Sequence, residues 1–265
     1  MNTLRDRIAS FFCGPMRSLR LLARWFLASS FWFLVVSVLW VGLLGIVAPP
    51  VTWVMVDQAH EQGSIQRTRM GLDHISRSLP LSIIASEDQR FMTHNGFSFE
   101  AMRKAMERNK KGKRIKGGST ISQQTAKNVF LWPGRTYVRK ALEAWFTLLM
   151  ETLWTKQRIL EVYLNVAEMG KGVFGAEAAA QHCFDKPASK LSREQSALIT
   201  CTLPAPRRYD CNRPSGYLLG RKQWVLRQMR NVGDVLDPEV LERRKTMIEK
   251  KEKQEAVRKA RRKSK

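Results

Sequence analysis

The run WFLASSFWFLVVSVLWVGLLGIVAPPVTWVMV, residues 25–56, holds no ionisable side chain, and it constrains this chain more than any other feature. It exceeds the ~20 apolar residues that carry a helix across a hydrocarbon core. Trp25 and Trp53 stand near its ends, where amphipathic rings favour the headgroup level, and Pro49 with Pro50 marks the exit. A transmembrane helix is predicted over residues 26–48. A cleaved signal sequence is the competing reading, disfavoured by the length of the run and by the lack of a clear A-x-A site. Ahead of the span stand Arg5, Arg7, Arg17, Arg20 and Arg24 against Asp6 alone. That asymmetry predicts a cytoplasmic N-terminus, residues 1–25, with everything after Asp57 outside.

The formal charge of +23 is too large for an ordinary enzyme surface and implies an acidic partner: nucleic acid, anionic lipid or a phosphorylated substrate. An exported domain rarely meets nucleic acid, and the basic segments lack the interleaved aromatics that stack bases, so nucleic acid is not expected. Of four cysteines, Cys183, Cys201 and Cys211 fall in the exported part, an oxidising space. Cys201 and Cys211 could pair across TLPAPRRYD, or all three could be buried as small apolar residues.

Beyond the span, segments of helical periodicity alternate with polar loops and no sustained period-two pattern occurs, so the folded part, residues 58–225, is read as mainly α. The clearest helix is predicted over residues 139–165, with Leu142, Phe146, Leu149, Leu153, Ile159 or Leu160, and Tyr163 as its buried stripe. Others are predicted from Phe99 and from Ser192, the latter with a Ser192/Gln195 capping box. Residues 226–265 form a basic tail, with twelve Lys/Arg and four Glu from Leu241 onward. A solvated charge run is the first reading of it, attraction to anionic headgroups the second.

Three constellations carry chemistry. In ASEDQRFMTHNGF, Glu87 follows the apolar LSIIAS, which places it at a helix edge, partly shielded from water, where desolvation raises a carboxylate pKa toward general-base use. Asp88 beside it points elsewhere and makes local hydrogen bonds. In NKKGKRIKGGSTISQQTAKN, a basic loop leads into a helix opened by the Thr120/Gln123 capping box. The helix N-terminus with the Ser119 and Thr120 hydroxyls suits phosphate oxygens, while Gln124 and Lys127 share one helical face. In RKALE, Arg139 and Lys140 both reach Glu143, an arrangement that keeps an acid ionised. Two carboxylates in opposite environments is a pattern of glycosyl chemistry.

Together these segments resemble family 51 glycosyltransferases, the peptidoglycan transglycosylases. EDQRFMTHNGF matches the family's first motif through Glu87, Asp88, Phe91, His94 and Gly96; GGSTISQQTAKN, from Gly117, matches the second; RKALE and KQRILEVYLN match the third and its extension. GKGVFGAEAAAQHCF and LSREQSALITCTLPAP correspond to the remaining blocks, in family order. The S-x-x-K and K-T-G segments of an appended transpeptidase do not occur in the sequence, so the monofunctional form is expected.

The resemblance implies a lysozyme-like, mainly α glycosyltransferase domain behind a single transmembrane helix, in the bacterial inner membrane with the domain in the periplasm. It implies polymerisation of lipid II into β1,4-linked glycan with release of undecaprenyl pyrophosphate. Glu87 would be the base, and Glu143 would orient the acceptor or hold a divalent ion at the pyrophosphate. His94, Ser119, Thr120, Gln123, Gln124, Lys127, Asn128, Arg135, Arg139 and Lys140 would bind substrate. No tightly bound cofactor is expected; a divalent cation, Mg or Mn, is left open, with Glu143 as its candidate ligand. The partners implied are lipid II, the lipid-linked glycan chain and membrane lipid, with cell-wall synthesis and division proteins left open. A lytic hydrolase and a non-enzymatic membrane-anchored scaffold are the alternatives.

Overall fold

The structure, a computed structural model, describes residues 3–110, 112 and 118–263. Lys111, Lys113, Arg114, Lys116 and Gly117 of the basic loop therefore lie outside the described residues. The chain divides into two compact units, residues 1–47 and 48–265.

The first unit is one helix, α1 (Thr3–Ile46). Its stretch Arg20–Ile46, 27 residues, is long and apolar enough to cross a membrane. At 1.5 Å per residue it spans about 40 Å, more than the ~30 Å of a hydrocarbon core. Leu27, Phe31, Trp32 and Leu39 leave their side chains exposed, the arrangement of a helix whose solvent is lipid. The helix stops just ahead of Pro49 and Pro50.

In the second unit, α2 (Trp53–Gln62) is capped by the Thr52 side chain, so Trp53 opens a new helix. Then follow β1 (Gln66–Arg67), α3 (Ser78–Glu87), α4 (Phe99–Lys110), α5 (Ile121–Phe130), α6 (Tyr137–Leu153), α7 (Lys156–Val166), β2 (Glu168–Gly170) and β3 (Val173–Phe174). The chain continues through α8 (Ala176–Phe184), α9 (Arg193–Thr200), α10 (Gly216–Val232) and α11 (Pro238–Lys263). The strands, which the sequence pattern was too short to announce, form one sheet in the order β1-β3-β2, with β1 parallel and β2 antiparallel to β3. α10 runs without a break through position 225, the predicted end of the folded part.

Two helix clusters make the core. α3 packs on α9 and α10, burying Leu79, Ile83 and Ile84 against Ile199 and Val225. Inside this layer the Ser82 hydroxyl donates to the Leu79 carbonyl at 2.8 Å and meets Thr200 Oγ1 at 2.5 Å. The second cluster sets α5 on α6 and α7, with the Phe130 and Phe146 rings stacked at 4.5 Å.

The single helix predicted over residues 139–165 is two. Trp154 is extended, and the Thr155 side chain accepts the Arg158 N–H to cap a new helix. Of the predicted stripe, Phe146 is buried on α6 and Ile159, Leu160 and Tyr163 on α7, whereas Leu142 and Leu149 are half-buried and Leu153 is exposed; Arg139, Glu143, Thr147 and Met150 complete the inward face of α6. Polar Arg139 and Glu143 tolerate that face because they pair with each other, at 3.2 Å. The cysteines also pair differently from expectation. Cys183 of α8 bridges Cys211, their Cα atoms 5.4 Å apart and within disulfide reach. Cys201 closes α9 with its side chain turned into the core, and burial pushes its thiol pKa up to about 11.

Gly96 shows why the first motif needs a glycine. Its φ is +82°, and a Cβ there would stand 2.7 Å from Thr147 Cγ2 and 2.9 Å from Glu151 Cγ on α6. Gly96→Ala is expected to destabilise the domain by about 1–3 kcal/mol through backbone strain, with the clash adding to it. Thermal unfolding of the detergent-solubilised variant checks this, and an unchanged midpoint would contradict it.

Candidate active site

Glu87 is the last residue of α3, a helix so apolar that six of its ten residues are buried. Burial raises the Glu87 pKa; hydrogen bonding to Gln124, the positive charge of Arg221 on α10 and the Ser86 hydroxyl oppose the rise, and Asp88 adds slightly to it. The Gln124 amide donates to Glu87 Oε2 at 3.2 Å, and the Tyr163 hydroxyl donates to Gln124 Oε1 at 3.1 Å. Tyr163 is itself fully buried, and desolvation, then the nearby Glu87 charge, holds its phenol well above the usual range. Tyr163 therefore remains a neutral donor that fixes Gln124, which in turn orients the carboxylate. The result is a shielded acid whose proton affinity is moved toward that of a working general base.

Asp88 turns the other way, as expected, and its local bonds prove to be structural. It is buried, accepts the Ile121 N–H at the start of α5 at 3.1 Å, and contacts His94 Nε2 at 2.8 Å. His94 is thus the partner of Asp88 through Nε2. The same geometry corrects the expected anion site at the N-terminus of α5. The Thr120/Gln123 capping box is present, and both residues are buried. The Thr120 N–H donates to Gln123 Oε1, the Gln123 N–H to Thr120 Oγ1, and the Thr120 hydroxyl to the Gly96 carbonyl. With Asp88 on the Ile121 N–H, three N–H groups of that helix end, those of Thr120, Ile121 and Gln123, are taken by the protein's own acceptors. Ser119 stays exposed ahead of the cap.

Behind the cap, Glu151 of α6 accepts from Ser122 of α5 and from Lys156 of α7, the latter at 2.8 Å. Lys156 lies over the Phe91 ring at 4.7 Å, and burial lowers its pKa against the pull of Glu151 and Asp88. This knot ties the first two motifs to the two helices of the third.

A second, cationic region forms on α5 and α6. Arg139 and Lys140 both donate to Glu143, as the spacing predicts, one to each carboxylate oxygen. Lys127, one turn beyond Gln124, joins them: its side chain reaches the surface, yet partial desolvation lowers its pKa, opposed by Glu143 and reinforced by repulsion from Arg139 and Lys140. Arg135 is exposed in the connection before α6. Glu143 does not fit a divalent ion. It is 3% exposed, both oxygens are engaged by cations, and Lys127 adds a third positive charge. Among the described residues, His182, Asp210 and Cys211 cluster, but the Cys211 sulfur is held in the disulfide.

Gln124, Lys127, Asn128 and Tyr163 line an open cavity of about 480 Å³, together with Glu168 and the 203–208 segment with Arg207 and Arg208. Arg207 reaches Glu168 at 3.5 Å and Glu61 of α2 at 3.3 Å, and burial raises the Glu168 pKa despite that arginine. Sequence reading gave Tyr163 only a packing role and missed Arg207, Glu168 and Arg221. Nothing local distinguishes them; only the fold brings them to α3 and α5.

A carboxylate with a raised folded-state pKa costs stability once ionised. Below the ordinary glutamate range both folded and unfolded chains are protonated there and the cost vanishes; above the raised folded pKa it is complete. Glu87→Gln is therefore expected to melt above the wild type at pH 8, with the difference shrinking as pH falls to about 4. A pH series of thermal midpoints checks it, and a difference independent of pH would contradict it.

The family profile described as Transglycosylase matches residues 55–230. A "Biosynthetic peptidoglycan transglycosylase" of Xanthomonas campestris pv. campestris (strain B100) is 49% identical over 226 residues, covering 83% of this chain and 92% of the relative. One of the same name from Pseudomonas fluorescens (strain SBW25) is 48% identical over 221 residues, covering 81% and 92%. With the profile spanning every residue of the site and nearly half the positions identical to these relatives, the chain belongs to the transglycosylase family.

Proposed function

We propose that this protein is a membrane-anchored peptidoglycan glycosyltransferase that polymerises lipid II. The observation that carries the reading is the arrangement along α5: Gln124 holds the desolvated Glu87, and Lys127, three residues on and about 4.5 Å further along the axis, joins Arg139 and Lys140. One helical turn thus separates a base from an anion-neutralising group. A transfer that deprotonates a sugar hydroxyl at one end and expels a pyrophosphate at the other needs that separation.

In this reading the acceptor's 4-hydroxyl attacks the anomeric carbon of the lipid-linked glycan, Glu87 takes its proton, and the pyrophosphate leaves on the opposite face, so configuration inverts. Lys127, Arg139 and Lys140, with Arg135 and the basic loop, neutralise the leaving group, a contribution that is usually large in such chemistry. Glu143 holds Arg139 and Lys140 in place, and no step is assigned to a metal bound there. Asn128 and the cavity beside Gln124 offer polar contacts to sugar. The anchor confines enzyme and lipid-tailed substrates to one surface and raises their effective concentration. The arginines before the span support a cytoplasmic N-terminus and an external domain in a bacterial inner membrane.

Purified full-length protein in detergent, given labelled lipid II, is expected to produce glycan strands. Glu87→Gln, which keeps the shape and loses the basicity, is expected to lower the rate at least about a hundredfold while remaining folded. Near-normal strands from the folded variant would overturn the assignment of the base, and lack of polymer from the wild type would overturn the function.

A further inference from the structure

The C-terminal helix does something the glycosyl chemistry does not use. α11 carries eleven Lys/Arg against five Glu between Pro238 and Lys263, yet it is not a detached tail. Leu241, Arg244, Lys245 and Ile248 are half-buried along one line of the helix, the spacing of a docked face. Two contacts pin that line. The Arg244 guanidinium donates to the Asn231 and Val232 carbonyls at 3.3 and 3.0 Å, satisfying the end of α10. Glu252 accepts from Arg90 at 2.7 Å, three residues after Glu87, and Arg90 also donates to Glu100.

The opposite face is of another kind. Arg243, Lys250 and Lys253 are exposed there or on its flanks, with the apolar side chains of Met247 and Val257 exposed among them at 64% and 53%. Cations flanking outward apolar side chains are the composition of a helix that lies on a membrane surface, where stems and apolar groups reach the headgroup boundary and ammonium groups meet phosphates. In a protein already carrying a membrane-length helix, each such cation near an anionic surface strengthens attachment.

We infer that the outer face of α11 is a docking surface for anionic phospholipid, and that it ties the motif containing Arg90 to the charge of the membrane. The strap holds through Arg244 and Glu252 on one side and binds headgroup phosphates on the other.

The test uses the full chain in nanodiscs of phosphatidylcholine alone or with phosphatidylglycerol; both hold the anchor, so only headgroup charge differs. Amide hydrogen exchange in peptides covering residues 239–257 is expected to slow about fivefold or more with phosphatidylglycerol, the effect of roughly one neutralised cation. That slowing should vanish at high salt and in the triple variant Arg243→Glu, Lys250→Glu, Lys253→Glu, whose substitutions sit away from the docked line. Equal exchange in the two kinds of disc, or slowing that survives the triple variant, would overturn the inference. So would equal protection in neutral discs from a short DNA duplex, which would assign the face to polyanions at large.

Discussion

One carboxylate organises the centre of this molecule. Asp88 is 6% exposed, and an ionised acid at that depth is costly unless its oxygens are fully used. Here one partner is the first N–H of α5, at the positive end of that helix, and the other is His94. Lys156, packed over Phe91, adds a nearby positive charge. Because Asp88 adjoins Glu87 in sequence and α5 carries Gln124 a turn from its start, the Asp88 bond to Ile121 sets the distance at which Gln124 meets Glu87. A structural acid thereby positions the proposed base.

Glu87 and Glu143 differ because their surroundings do. Glu87 ends an apolar helix and has an amide, a hydroxyl and a more distant arginine for company, so desolvation prevails and its pKa rises. Glu143 is buried more deeply but shares both oxygens with Arg139 and Lys140, side chains of its own helix. The first can take a proton. The second serves cations that would otherwise repel one another beside Lys127, and it keeps them on the side where a pyrophosphate would leave.

Much of this was legible before the fold was seen, and the misses have a common cause. The membrane-length helix, the Glu87 environment, the Thr120 and Ser192 capping boxes and the Arg139–Lys140–Glu143 cluster depend on neighbours within a few residues, which periodicity and spacing register directly. The helix break at Trp154 was hidden because apolar residues continue in phase across it, while the deciding signal was one threonine cap. The N-terminus of α5 was read as open to phosphate because the acid that fills it lies 33 positions upstream. Cys183 was overlooked as the partner of Cys211 because Cys201 was nearer in sequence, and nearness in sequence does not decide which sulfur faces the core. Tyr163 and Arg221 join the site only through packing of α7 and α10.

The most direct measurement is the rate of lipid II polymerisation by Asp88→Asn, alongside its thermal midpoint. If Asp88 sets the geometry between Glu87 and α5, the variant should remain folded, melt lower, and lose about a hundredfold in rate with Glu87 intact, as expected for a small misplacement of a reacting group. A folded Asp88→Asn protein that polymerises at the wild-type rate would contradict the account.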